Sequence, residues 1–354
     1  MKLDAFDLVR LDLPLRQPFR TVDGETATRP VILVRAAIGD RVGWGEAAPY
    51  PGHTSDSIDE AWHILVATAE RSTNGYVDID PIADGSSSRA ALDGALMTLR
   101  SAVEGKPLGH TLGATSLSVR ASASIGLQPD APSLLSSVGL AVDAGYRCLK
   151  VKVAHQPSAV ASVIRKHFPD IAIGLDANGA FTPDDMSELR ALDVSSIAFV
   201  EQPYPVGMER ETAELAAVLQ TPVALDESIR SLTDVTKVLS GPPVDVLTVK
   251  PARLGVTDCL RARDLAVADG VSLRVGGMLE TGVGRAIGAA LAACEGFTVF
   301  GDLSASGWHF PTELTRLEQQ SGLIEVPTGE GLGLDVTIDE SRVVDRASYT
   351  WPQQ

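Results

Sequence analysis

Cys148-Leu149-Lys150-Val151-Lys152, Gly174-Leu175-Asp176-Ala177-Asn178, Phe199-Val200-Glu201-Gln202-Pro203, Ala224-Leu225-Asp226-Glu227-Ser228 and Leu247-Thr248-Val249-Lys250-Pro251 are short apolar runs that close on charge. They belong to a longer series at 119–125, 148–153, 171–176, 197–201, 223–226, 244–250, 273–276 and 299–303. The series recurs at intervals of roughly 25 residues, the mark of a repeated supersecondary unit. Between the runs lie segments such as 133–145, 183–192, 209–219 and 258–269, each long enough for a helix of about three turns. Strands that alternate with helices are expected to run parallel, and eight such units close into a barrel. The expected fold class is therefore α/β, a (β/α)-barrel. An open doubly wound sheet is the alternative. It would need a G-x-G-x-x-G turn after an early strand, and the chain has none there.

Outside the series the texture changes. Phe6 to Leu13 alternates, 31–38 is a β-rich run, and Gly39-Asp40 turns it toward Val42-Gly43-Trp44, which predicts an antiparallel meander of three strands. Residues 55–71 and 88–103 have helical apolar spacing, the first with Ser55 or Asp56 as cap and the second closed by Gly105-Lys106-Pro107. The tail, 322–344, returns to alternating β character with glycine turns and is expected to pack on the N-terminal region. The predicted division is an α+β N-terminal domain over 1–115, the barrel over 116–318, and a C-terminal segment, 319–354, that packs back on the N-terminal domain.

The charged ends of the runs share one rim of a parallel barrel, where active sites form. Asp176, Glu201 and Asp226 would converge there from adjacent strands. Without a cation between them they would repel and raise one another's pKa. An all-oxygen donor set with room left for water and substrate favours magnesium, with manganese as the other candidate. No His or Cys cluster offers a zinc site. Lys150 and Lys152, two apart on a strand, point to one face. Two close ammonium groups, or one beside a metal, disfavour protonation and bring a lysine toward the range of a working base. Lys250 rises on the other side of the acids. Two amines flanking a metal-bound carboxylate reach both faces of its α-carbon, and a Lewis acid stabilises the enediolate left by proton removal. Taken singly, each lysine also reads as a strand-end group reaching solvent. Arg253 reads equally as a fixed charge beside Lys250 or as a loop arginine in water.

Composition narrows the partners. The chain of 354 residues is 44% hydrophobic with a formal net charge of −16. That charge repels phosphate backbones, which argues against nucleic acid. The cysteines, Cys148, Cys259 and Cys294, are odd in number and far apart, and fit a reducing cytoplasm better than a disulfide framework. The first residues, MKLDAFDLVR, lack the apolar stretch of a signal peptide, and no apolar run reaches membrane-spanning length. Symmetric self-association is the general expectation for a soluble enzyme. Only seven of the 30 basic residues are lysine, so a lysine in an apolar strand draws attention to its titratable amine.

The set K-x-K, D-x-N, V-E-Q-P, L-D-E-S and V-K-P resembles the enolase superfamily in its muconate-lactonizing branch. The resemblance implies metal ligation by Asp176, Glu201 and Asp226, catalysis by Lys152 and Lys250, and supporting places for Lys150, Asn178, Glu227 and Arg253. It implies a capping domain whose loops, Phe19-Arg20-Thr21 and Tyr50-Pro51-Gly52-His53, close over a small carboxylate substrate. Gly276-Gly277-Met278-Leu279-Glu280-Thr281-Gly282 and Gly301-Asp302-Leu303-Ser304-Ala305-Ser306 look most like o-succinylbenzoate synthases and N-acylamino acid racemases, as does Lys250-Pro251-Ala252-Arg253. On that likeness Ser124, Met278, Phe19, Tyr50, Asp302 and Ser304 line the substrate pocket. Arg20, His53 and Glu280 receive no defined role.

One stretch points elsewhere. Gly45-Glu46-Ala47-Ala48-Pro49-Tyr50-Pro51 is more similar to dipeptide epimerases. Those enzymes carry D-x-D at the end of strand eight, where this chain reads Asp302-Leu303-Ser304. The implied activity is magnesium-dependent α-proton abstraction from a carboxylate, as an o-succinylbenzoate synthase, an N-acylamino acid racemase, or both. A dipeptide epimerase or a muconate-type cycloisomerase is the alternative. A metal-binding barrel without activity and a Schiff-base aldolase using Lys152 or Lys250 are the readings from other classes.

Overall fold

A computed structural model describes residues 1–22 and 24–351. The chain opens with three antiparallel strands, β1 (Ala5–Thr21), β2 (Gly24–Ile38) and β3 (Arg41–Ala47). Their alternation makes a sheet with two apolar faces. Phe6 and Leu8 of β1, with Ile32, Val34 and Ala36 of β2, pack on helices α1 (Ile58–Arg71) and α2 (Ser87–Val103) through Trp62, Leu65, Leu92 and Leu99. Val9, Leu11 and Leu13, with Val31 and Leu33, join the core of the following domain. The cap is thus seated by the pleat itself.

α1 begins later than its spacing predicts. Ser57 is the N-cap. Its hydroxyl accepts from Glu60 N and its own N–H donates to the Glu60 carboxylate, a capping box. Asp56 faces the other helix and accepts from the N–H groups of Ser87 and Ser88.

The single run expected over 119–125 divides at Ala121 into β4 (Ser118–Arg120) and β5 (Ser122–Ile125). β5 starts a parallel sheet that continues in chain order through β6 (Cys148–Lys152), β7 (Ala172–Asp176), β8 (Phe199–Glu201), β9 (Val223–Leu225), β10 (Val246–Val249) and β11 (Ser272–Val275). The eighth run forms no ladder. The segment 299–303 instead bonds to both edges, Asp302 N to Val275 O and Ser122 N to Leu303 O, each at 2.8 Å. Gly301 permits that close passage, since a Cβ there would lie 2.6 Å from Val275 O. Seven strands and one irregular segment therefore close the barrel.

The tail serves both halves. β12 (Gln319–Gln320) and β13 (Leu323–Glu325) form a small antiparallel sheet with β4, so that stretch joins the barrel and not the N-terminal sheet. β14 (Val343–Thr350) pairs antiparallel with β1, from Ala5↔Thr350 to Leu11↔Val343. Among the described residues, no helix is long and apolar enough to cross a membrane.

Candidate active site

Parallel pairing aligns the strand ends. Lys152, Asp176 and Glu201 are register partners across β6, β7 and β8. Asp226 and Lys250 follow the last residues of β9 and β10 directly. Asp176 and Glu201 are fully buried, and Asp226, Lys250 and Lys150 nearly so.

The acids are held by cations. Lys150 Nζ lies 2.9 Å from Asp176 Oδ2, 2.8 Å from Glu201 Oε2 and 2.5 Å from Asp302 Oδ2. Lys152 Nζ lies 2.7 Å from Asp176 Oδ2 and 2.6 Å from Asn178 Oδ1. Lys250 Nζ lies 2.7 Å from Asp226 Oδ2. Asn178 also donates to Glu227 at 2.7 Å, which joins the β7 and β9 loops. Gln202 braces the third acid, accepting from Asp226 N at 3.0 Å while its amide donates to Tyr204 O. Asn178, Gln202 and Leu279 all have positive φ, so backbone strain gathers at this rim.

These contacts set the titration behaviour. Burial raises the carboxyls of Asp176 and Asp226, but Lys150 and Lys152 hold the first well below the usual range, and Lys250 and Arg253 hold down the second. Glu201 is raised by burial, against the pull of Arg274 and Lys150. Burial and the Asp226 charge push Glu227 up to about 7. Burial opposes the Lys150 ammonium, yet Asp176, Asp302 and Glu201 keep its pKa well above the ordinary value. That reverses the expectation for this lysine. With three carboxylates around it, Lys150 acts as a fixed cation.

Arg253 is not a solvent arginine. It is 1% exposed and donates through Nη2 to Asp226 O at 2.9 Å and Asp226 Oδ1 at 3.1 Å. Asp302 is likewise engaged within the protein: besides Lys150, it accepts from Arg274 Nη2 at 2.6 Å and Gly277 N at 3.1 Å. Arg274 also binds Glu201, as does the Thr248 hydroxyl. Sequence reasoning passed over both residues. The available signal was a charge inside an apolar strand, Leu273-Arg274-Val275, level with Thr248 in the register of β10 and β11.

A small recess of about 50 Å³ opens above these groups. Phe19, Tyr50, Ser124, Met278, Asp302 and Ser304 all line it, with Lys150, Lys152, Lys250, His53 and Glu280. Arg20 does not. It is exposed and pairs with Glu25 at 2.5 Å, on a broad outer groove that shares Phe19, Ser124 and His309 with the recess.

The donors fit a hard divalent ion, since Asp176, Glu201 and Asp226 offer buried carboxylate oxygens from neighbouring strands. Among the described residues, His53, Asp226 and Glu227 place ligand-type atoms within 4.8 Å of one another. Asp176 and Glu201 turn theirs to Lys150. Asp226 belongs to both sets.

The pattern of the family described as Enolase C-terminal domain-like matches residues 134–341. An o-succinylbenzoate synthase of Geobacillus stearothermophilus is 35% identical, over 96% of this chain and 94% of that protein. An N-succinylamino acid racemase of Amycolatopsis is 33% identical, over 94% and 95%. A solved enolase-superfamily protein from Listeria innocua superposes with a TM-score of 0.86 at 28% identity, over 99% of this chain and all of the other. Strand-end acids and lysines, barrel and cap therefore sit in a chain with full-length relatives of one kind, and the protein is an enzyme of the enolase superfamily.

Proposed function

We propose that the protein removes the α-proton of an N-acylated or otherwise amine-free carboxylate, as an o-succinylbenzoate synthase, an N-acylamino acid racemase, or both. The observation that carries this reading is the placement of two amines on separate acids: Lys152 on Asp176 and Lys250 on Asp226, with Glu201 between. From those positions one lysine takes a proton from one face of the α-carbon and the other returns it, or stays charged, on the opposite face.

Asp176, Glu201 and Asp226 would hold Mg²⁺, or Mn²⁺ in its stead. The bound ion would supply charge neutralisation to the substrate carboxylate as its enediolate form develops. Arg274 and Lys150 keep Asp302 ionised in a dry interior, and Gln202 and Asn178 fix the loops that carry the acids. Phe19, Tyr50 and Met278 exclude water from the α-carbon, and Ser124 and Ser304 offer hydroxyls to the acyl end. Dehydration and racemisation share the first proton transfer, so both stay within the proposal.

A dipeptide epimerase remains the second reading, on the 45–51 stretch. A free ammonium would need a carboxylate at the end of strand eight, and Asp302 already has Lys150, Arg274 and Gly277 as partners. A small-molecule substrate, a homo-oligomer and a cytoplasmic place of action complete the reading. The three cysteines, free and buried, are in keeping with the last.

The test is α-proton exchange in D₂O, followed by NMR, on N-succinyl amino acids and dipeptides with and without Mg²⁺. Exchange on the N-succinyl compounds is expected, and chelation should end it. Lys152→Ala and Lys250→Ala should each lower racemisation by at least ~10²-fold, the lower range for loss of a general base. Each should retain exchange on only one enantiomer, a different one for each. Exchange confined to dipeptides would overturn the substrate class, and racemisation retained in both variants would overturn the two-lysine mechanism.

A further inference from the structure

The two lysines differ in one respect that the barrel does not explain. Lys152 is held by Asp176 and Asn178, both from the β7 end. Lys250 has Asp226 and also a residue of the cap: His53 Nδ1 lies 3.3 Å from Lys250 Nζ. His53 is 8% exposed and Lys250 2%. The far nitrogen of the ring, Nε2, lies 3.7 Å from Glu227 Oε1.

The loop that carries His53 is fixed on several sides. His53 N donates to Tyr50 O at 3.0 Å, and the Tyr50 ring meets the imidazole edge-on at 5.6 Å. Arg230 Nη2 donates to Gly52 O at 2.9 Å, which ties the loop to the barrel. Asp56 holds the start of α2. The imidazole therefore reaches Lys250 from an anchored loop, and an unprotonated Nδ1 can accept a hydrogen from the amine.

We infer that His53 is a positioning residue for Lys250, its direct partner, so that the capping loop bears on proton transfer at the Lys250 face of the substrate more than at the Lys152 face. This rests on the two-lysine reading above. A lysine has four side-chain torsions, and the Asp226 contact fixes only one direction of its amine. A second partner narrows the remaining freedom.

The test compares His53→Ala, His53→Phe and His53→Asn in the full-length, Mg²⁺-supplemented enzyme. α-Proton exchange is followed separately on the two enantiomers of an N-succinyl amino acid. In parallel, Lys250 and Lys152 are labelled by reductive methylation and quantified by mass spectrometry. The Ala and Phe variants should lose about tenfold on the enantiomer that Lys250→Ala silences, the scale set by freeing one lysine's rotamers. They should stay near wild type on the other enantiomer. Asn, whose side-chain oxygen can stand where Nδ1 stands, should restore most of the loss. The Lys250-to-Lys152 labelling ratio should shift in the Ala variant and return toward wild type in the Asn variant. Equal loss on both enantiomers, no loss, or an unchanged labelling ratio would overturn the inference. If the wild type exchanges none of these substrates, the proposed substrate class fails, and the labelling ratio alone decides for or against His53.

Discussion

Lys250 occupies its place because Gly276 leaves it room. A Cβ at 276 would lie 2.5 Å from Thr248 Cγ2 and 2.8 Å from Lys250 Cε. Gly276→Ala is expected to cost about 1–3 kcal/mol by overpacking and to reduce exchange on the Lys250 face more than on the Lys152 face. Thermal melts with enantiomer-resolved exchange check this, and an even loss on both faces would refute it. At this scale the sequence showed which residues stand on the rim, because each charged group ends an apolar strand and parallel strands share one C-terminal edge. It did not show who pairs with whom. Asp302, read as a substrate contact, lines the recess and also pairs with Lys150 of β6 and Arg274 of the adjoining β11. Such pairs depend on side-chain reach between segments far apart in the chain, which periodicity does not encode.

Among elements, one of the links between cap and barrel is a buried carboxylate. Glu46, at the end of β3, accepts from Thr281 N at 2.8 Å, Thr281 Oγ1 at 2.6 Å and Gly284 N at 2.9 Å. These donors open the helix Gly282–Ala292, so a residue of one domain caps a helix of the other. Glu46→Ala leaves the buried donors unmatched and is expected to cost ~1–3 kcal/mol. Amide exchange at Thr281 and Gly284 should rise before exchange elsewhere in the barrel, and protection there equal to wild type would count against this docking role. The strand–helix alternation of the barrel was legible from the spacing of apolar runs. Element ends were less so: Ser55, Asp56 and Ser57 are all cap-type residues, and the choice among them rests on Glu60 and on α2. The last run, 299–303, reads as a strand by composition, yet it bonds only at intervals to its neighbours.

For the molecule as a whole, groups of opposite sense couple folding to acidity, His309 and Glu227 among them. Burial, with the Arg285 charge, lowers the His309 pKa to about 3. Between its ordinary value of 6.5 and that value, the unfolded chain takes up a proton that the folded chain refuses. Stability therefore falls with falling pH across that window. Glu227, pushed up to about 7, works the other way: below that pH the folded chain holds a proton that the unfolded chain binds only near 4.5. Because the two offset each other, the single substitution is the cleaner measurement. His309→Asn should flatten the pH dependence of unfolding free energy, between pH 7 and 5, by up to ~1.4 kcal/mol per pH unit. Denaturant titrations at several pH values check it, and an unaltered slope would show that His309 titrates alike in the folded and unfolded chains. The pairing of β1 with β14 has a consequence in time. At roughly 5–20 residues per second of synthesis, the stretch between Leu11 and Val343 takes tens of seconds to emerge. Throughout that interval β1 presents an unclaimed hydrogen-bonding edge. The nascent chain must wait for its own far end, and whatever shields that edge meanwhile decides how much enzyme a cell recovers.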